Sequence, residues 1–152
     1  MASSSRHGAR ARSRARRLAL QGLYQWQLSA AQPDDIIGQF RAAQGTRDTD
    51  MEYFEELVRG VITNADRLSA AFSPHLDRPL MQLDPVERAI CLLAAYELSE
   101  RVDVPYRVVL NEAVELAKKF GAEDSHKHIN AVLDRTAAGL RATEHPQGTA
   151  GV

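Results

Sequence analysis

The sequence predicts an all-α fold with about seven helices and no β-sheet. Apolar residues recur at three- and four-residue steps from about residue 11 onward, and no segment alternates with period two for long enough to form a strand. Aspartate, proline and glycine residues divide this pattern into segments of helical length. With 152 residues, 44% of them hydrophobic, the chain can bury a core without disulfides or structural metals.

In the first half of the chain, a long helix is predicted over 11–31 and a short one over about 34–43. The clearest periodicity lies within 50–70 and is followed by a short helix at about 68–77. The apolar stripe of 50–70 is formed by Phe54, Leu57, Val58, Val61, Ala65 and Leu68.

Three more helices are predicted in the second half. One begins at Pro85, is N-capped by the preceding aspartate and reaches about Ser99. The next opens at Pro105 and is closed by Gly121 as a C-cap, and the last starts near Asp124.

These boundaries predict the domain organisation of the chain. Residues 1–10 are expected to form a flexible basic arm, 11–141 a single helical domain and 142–152 a disordered tail.

The charge distribution indicates an anionic partner for the N-terminal segment. Residues 1–33 hold six arginines and no acidic residue, whereas the other 13 Lys and Arg residues face all 20 acidic ones. Guanidinium groups suit phosphate because they are always charged and present a planar fork of donors. The arginines occupy two neighbouring helical stripes, one with Arg10, Arg14 and Arg17 and the other with Arg12 and Arg16. A nucleic acid is favoured, and a solvated arm is the alternative.

Rings close to basic residues favour single-stranded RNA over DNA. Tyr24 and Trp26 lie on the first helix, and His126, Lys127 and His128 begin the last. Splayed bases stack on such rings while cations hold the backbone. The alternative is that both aromatic residues are core, and for Trp26 this is the preferred interpretation.

No motif predicts catalysis or metal binding. His126 and His128 are two residues apart and so face different sides of a helix, and no further ligands complete a metal site. Cys91 lies in an apolar run, where a thiol is usually an inert core residue. There is no GxGxxG and no P-loop. We therefore predict a non-enzymatic protein with no catalytic residues, metal or cofactor.

Export and membrane insertion are not expected either. Gln21, Gln25 and Gln27 interrupt the apolar stretch that a signal peptide would need, and no run approaches the roughly 18 apolar residues of a membrane span. A single cysteine fits a reducing, cytoplasmic location.

Several sequence motifs, taken in their order and spacing, resemble those of NusB transcription antitermination factors over about residues 10–140. The likeness rests on the run from Arg12 to Tyr24, on Glu87–Ile90 with Tyr96–Leu98, and on the segments Asn111–Lys118, Phe120–Ser125 and Asn130–Asp134. The resemblance implies two small helical bundles packed side by side. It also implies an RNA-binding factor that binds boxA of nascent ribosomal RNA with the ribosomal protein NusE and joins the antitermination complex on RNA polymerase, without contacting DNA directly.

The resemblance also implies site residues. The RNA-binding set would be Arg12, Arg14, Arg16, Arg17, Tyr24, Asp124, Lys127 and His128. The NusE-facing set would be Val86, Glu87 and Arg88. Two departures from the family pattern stand out: relatives often carry an aromatic carbocycle in place of His128, and Ser13 and Arg17 rearrange the arginine run.

Two other functions fit the same residues. One is an RNA-binding accessory domain related to those of ribosomal RNA methyltransferases, although little sequence follows the last predicted helix. The other is a protein-interaction module in which the arginines are incidental.

Overall fold

The computed structural model describes residues 2–43 and 45–148, with side chains described from residue 8 onward. Over these residues it contains seven α-helices, two short 3₁₀ helices and no strand, which confirms the predicted all-α fold. The α-helices are α1 (Ala2–Ser29), α2 (Pro33–Ala42), α3 (Met51–Thr63), α4 (Ala65–Phe72), α5 (Pro85–Glu100), α6 (Tyr106–Phe120) and α7 (Ser125–Leu140). The 3₁₀ helices are Ser73–His75 and Leu80–Gln82.

Helix α1 is longer than predicted at its N-terminus. The apolar periodicity starts near residue 11, but the helix begins at Ala2 and so includes most of the predicted arm. Alanine and arginine are strong helix formers. A segment rich in them can therefore continue a helix without the apolar repeat on which the prediction depended.

The predicted helix over 50–70 is interrupted at Asn64, between α3 and α4. The apolar steps continue in register across this residue, so the sequence pattern does not show the break. The chain also divides here into two compact units, Met1–Thr63 and Asn64–Val152. Two helical units agree with the two bundles that the family resemblance implied.

The first unit is a bundle in which α1, α2 and α3 all contact one another. Helix α1 packs against α2 at Gly22, where an added Cβ would lie 3.0 Å from Cγ2 of Ile36. A larger residue at position 22 would therefore require the Ile36 side chain to shift, so glycine serves close packing here rather than a turn. Between α2 and α3, the rings of Phe40 and Phe54 pack with centroids 5.6 Å apart.

Helix α5 is the centre of the second unit and contacts α4, α6 and α7. All ten residues from Ala89 to Leu98 are buried. Apart from Glu97 this run is apolar, and a helix that is apolar on nearly every side is expected to be buried on nearly every side. At its N-terminus the predicted cap is present, because the Val86 N–H donates to the Asp84 carboxylate over 2.8 Å.

Arg141, which follows the end of α7, closes the other end of α5. Its guanidinium donates to three carbonyl oxygens: Leu98 at 2.7 Å, Arg101 at 2.9 Å and Glu97 at 3.1 Å. The last carbonyls of a helix lack the usual partner within the helix, and Arg141 supplies a donor to that of Leu98. The Glu97 and Arg101 carbonyls also accept from the N–H groups of Arg101 and Val104, so Arg141, only 6% exposed, adds a second donor to each.

Part of the predicted tail contacts the second unit. The Glu144 carboxylate accepts a hydrogen bond from the Tyr106 N–H at 3.0 Å and pairs with Arg141 at 2.7 Å. His145 is buried, with Nε2 2.8 Å from the Asp134 carboxylate and its ring against Tyr106. These anchors are polar, so in the sequence they look like a solvated tail. Residues 149–152 lie outside the described residues.

Replacing Arg141 by Ala should destabilise the protein by about 3 kcal/mol, because truncation removes three hydrogen bonds from a charged donor and takes away the donor to the Leu98 carbonyl. Urea unfolding followed by circular dichroism measures this loss. Arg135→Ala, at an exposed position of α7, is the control and should be near neutral. Equal midpoints for the two variants would contradict the capping role.

Glu144 should make a pH-dependent contribution to stability. The Tyr106 N–H, with the Arg141 guanidinium, lowers the pKa of Glu144 below its usual 4.5. A lowered carboxyl pKa in the folded state stabilises it above pH 4.5, and this stabilisation disappears as the pH falls through the lowered value. Glu144→Gln should therefore lower the urea midpoint at pH 7, and the difference from the parent should shrink below pH 4.5. A difference that stays constant with pH would exclude this linkage.

Candidate nucleic-acid interface

The arginines of α1 whose side chains the structure describes divide into an outward and an inward group. Arg10 and Arg14 are exposed and Arg17 is half-buried, all on one stripe. With Ala9 and Ser13 these three arginines line an open groove of about 270 Å³. The outward group therefore presents several guanidinium groups together at the surface of the first unit.

Arg14 also contacts the segment that connects α2 and α3. Its Nη1 donates to the carbonyl oxygen of Asp48 over 3.4 Å, a long hydrogen bond. Nearby, the Asp50 N–H donates to the carbonyl of Ala11 at 3.1 Å. These bonds tie the connecting segment to α1 beside the outward arginines.

The inward group, Arg12 and Arg16, covers the ring of Tyr53. The guanidinium carbons lie 4.5 Å and 5.6 Å from the ring centroid, within the range of cation–π attraction. Tyr53 is 3% exposed and Arg16 only 5% exposed. Arg12 is half-buried, with Nε 4.0 Å from the carboxylate of Asp50.

The burial of Arg16 changes the interpretation of one predicted RNA-binding residue. Its spacing in the sequence matches that of the other arginines, but a phosphate contact would require the guanidinium to leave Tyr53. In this structure Arg16 packs inside the first unit. Arg12 can pack on the ring and still reach solvent, because a long basic side chain buries its stem and exposes its head.

Tyr24 lies two turns beyond Arg17 on the same face of α1 and is 40% exposed. A partly exposed phenol ring can stack on a base. Trp26 is half-buried, so the preferred interpretation of a core residue holds only in part.

In the second unit, Asp124 and Lys127 are exposed at the start of α7. Asp124 has a φ of +65°, a left-handed conformation that aspartate adopts more readily than most residues. Its carboxylate lies 3.6 Å from Nζ of Lys127, and both side chains are mostly exposed. Such a pair contributes little to stability, so Lys127 can exchange this carboxylate for a phosphate at small cost.

His128 is held by the segment that follows the first 3₁₀ helix. Its Nε2 lies 3.2 Å from both the backbone N–H and the carboxylate of Asp77, and its side chain is 20% exposed. Arg78 forms an ion pair with the same carboxylate, with Nε 2.7 Å from Oδ1. Arg78 and, less strongly, His128 lower the pKa of Asp77. The ring is therefore oriented by protein contacts. Asp77 and Arg78 escaped the sequence analysis because no local pattern links them to a histidine fifty-one positions later.

The three predicted NusE-facing residues lie in the first turn of α5. Glu87 is only 7% exposed, whereas Val86 and Arg88 are half-buried. Because Glu87 is itself buried, most of its surface is unavailable to a partner. Val86 and Arg88 are the better-placed residues of this set.

The side chains described from residue 8 to residue 148 include no cluster of three potential metal ligands. Burial, with the nearby Glu87 charge, raises the pKa of Cys91 to about 12, so its thiol stays protonated and unreactive. In this part of the chain no helix has the length and apolar character needed to cross a membrane.

The predicted RNA-binding residues are distributed over both units. Those of α1 belong to the first unit, and Asp124, Lys127 and His128 belong to the second. That they form one continuous surface remains a prediction of the family resemblance.

Comparison with known proteins identifies close relatives. The NusB family profile matches residues 13–138. The chain is 54% identical to the transcription antitermination protein NusB of Paraburkholderia phytofirmans, over 88% of this chain and 93% of the relative. It is 50% identical to the protein of the same name from Xanthomonas axonopodis pv. citri, over 92% of each chain.

Two solved structures have the same fold. One is NusB of T. maritima, with a TM-score of 0.73 and 27% identity, over 89% of this chain and 93% of the other. The second is a crystal structure of the antitermination factors NusB and NusE in complex with dsRNA. It matches with a TM-score of 0.71 and 25% identity, over 84% of this chain and 96% of the other.

Arg16→Ala should destabilise the protein by about 1 to 2 kcal/mol, because it removes a buried side chain and its cation–π contact with Tyr53. Arg10→Ala is the matched control at an exposed position of the same helix and should leave the unfolding midpoint unchanged. Thermal or urea unfolding distinguishes them. If Arg16→Ala is as stable as the parent, the assignment of Arg16 to the interior is wrong.

Proposed function

We propose, because the chain belongs to the NusB family, that it is a non-enzymatic RNA-binding transcription antitermination factor. In this proposal it binds boxA of nascent ribosomal RNA together with NusE and joins the antitermination complex on RNA polymerase in the cytoplasm. It uses no cofactor and contacts neither DNA nor a membrane directly.

The observation that carries the proposal is the outward face of α1. Arg14 and Arg17 follow one another on this face and Tyr24 lies beyond them, so cationic groups for phosphates precede a ring for a base. This combination suits a single-stranded nucleic acid whose bases are accessible. Asp124, Lys127 and His128 are proposed to add contacts from the second unit.

Two partners are supported by a solved relative. Its crystal structure is described as NusB and NusE with dsRNA, which supports an RNA and NusE as partners of this chain. We favour a single strand because Tyr24 can stack only on a base that is not fully paired. Val86 and Arg88, with the small exposed part of Glu87, are the proposed NusE-facing residues.

The comparisons favour this function over the methyltransferase-associated alternative. Each relative named above is covered over at least 92% of its own length and carries the name of an antitermination protein. The likeness is therefore to whole antitermination factors and not to one part of a larger enzyme.

A set of RNA-binding measurements tests the proposal. A boxA RNA and a scrambled RNA of the same length are each titrated with the chain, with and without NusE, and a duplex form of boxA is added as a further arm. We expect tighter binding of single-stranded boxA, strengthened by NusE. If Arg12, Arg14 and Arg17 each contact one phosphate, log affinity should fall against log salt with a slope of about −2 or steeper, at about −0.7 per phosphate contact.

The outcomes separate the alternatives. Equal affinity for boxA and scrambled RNA would remove the specificity, and a slope near zero would remove the electrostatic contacts. NusE binding without any RNA binding would instead identify a protein-interaction module. A preference for duplex RNA would overturn the single-strand assignment alone.

A further inference from the structure

The outward face of α1 extends beyond the residues assigned so far. Steps of four and three residues connect six positions on one helix face, as expected for neighbours at i+3 and i+4. Within this stripe Arg17 is half-buried and the other five residues are exposed. We call it the outward stripe, and its members are Arg10, Arg14, Arg17, Gln21, Tyr24 and Leu28.

The chemistry of the outward stripe changes in one direction. Three guanidinium groups come first, an amide follows at Gln21, and the phenol of Tyr24 comes next. At 1.5 Å per residue, Arg10 and Tyr24 are about 21 Å apart along the helix axis. A track of this length can accommodate several nucleotides.

The arginine charges of this stripe are largely uncompensated. Among the described residues, neither Arg10 nor Arg17 forms an ion pair, and Arg14 donates to a backbone carbonyl rather than to a carboxylate. Arg10 also lines the same groove as Arg14 and Arg17. A polyanion relieves the repulsion among these like charges.

Gln21 occupies the position between the arginines and the aromatic ring. The only hydrogen bond of its side chain among the described residues is long, 3.4 Å from Nε2 to the carbonyl of Arg17. An exposed amide with spare donor and acceptor capacity can read the edge of an unpaired base.

We propose that single-stranded RNA lies along the outward stripe, where Arg10 contacts an additional phosphate and Gln21 contacts a base edge between Arg17 and Tyr24. This proposal rests on the RNA-binding function proposed above. It adds two residues that the family resemblance did not assign. It also moves the track away from Arg16, which is buried against Tyr53.

The phosphate contact is tested with Arg10→Ala in the full chain. Affinity for the boxA RNA is measured at several salt concentrations. We expect the slope of log affinity against log salt to become less steep by about 0.7, the value for one phosphate contact. Arg107→Ala removes the same charge from an exposed position at the start of α6 and should leave the slope unchanged. Equal slopes for these two variants would overturn the role of Arg10.

The base contact is tested with Gln21→Ala. We expect the preference for boxA over the scrambled RNA to fall about fivefold, the effect of one hydrogen bond, with no change in salt slope. Gln32→Ala, at an exposed position just before α2, is the matched control. If Gln21→Ala keeps the full preference, Gln21 does not read a base.

Thermal unfolding of the variants and RNA binding by the parent chain serve as controls. Both replaced side chains are exposed, so thermal unfolding should show parent stability for each variant. If the parent chain binds no RNA, the proposed function itself is wrong. If the parent binds RNA and both variants match their controls, only the track along the outward stripe is wrong, and the exposed arginines are a solvated basic face.

Discussion

The second unit depends on the way in which Arg141 closes the buried end of α5. A helix buried along ten consecutive residues cannot leave its last carbonyls to water, and a buried acceptor without a donor is costly. One guanidinium meets this requirement because its fork of donors reaches three carbonyl oxygens at once. Its charge is then matched by Glu144, which also accepts from the first N–H of α6. Two paired side chains, Arg141 and Glu144, thus connect the end of α5, the start of α6 and the end of α7.

In the first unit a buried arginine packs on an aromatic ring instead of donating to the end of a helix. Arginines two positions apart on α1 point to different sides, so Arg16 packs on Tyr53 while Arg14 stays exposed. The aromatic ring therefore determines which guanidinium groups are held by the protein and which remain available to a partner. A conservative change at Tyr53 would therefore alter the packing of Arg12 and Arg16 as well as that of the core.

The sequence predicted what depends on local periodicity and missed what depends on tertiary contacts. The cap at Asp84 and the starts of α5 and α7 were predicted because each has a local signal. The break at Asn64 was missed because the apolar stripe continues through it. The burial of Arg16 was also missed, since Tyr53, the ring that it covers, is thirty-seven residues away. The contact between Asp77 and His128 was missed for the same reason, because fifty-one residues separate the two and leave no local pattern. The arginine set was identified as basic, but its inward and outward groups required the position of Tyr53.

The contacts of His128 bear on where bases are recognised. Its Nε2 is engaged by Asp77 and its side chain is only 20% exposed, so an imidazole in this setting offers less stacking surface than an exposed aromatic carbocycle. Tyr24, by contrast, is 40% exposed and follows the outward arginines directly. Stacking requires a ring face that solvent can reach, and phosphate binding requires charges that the protein does not already neutralise. Because α1 meets both requirements on one stripe, we expect base recognition in this chain to depend more on α1 than on the start of α7.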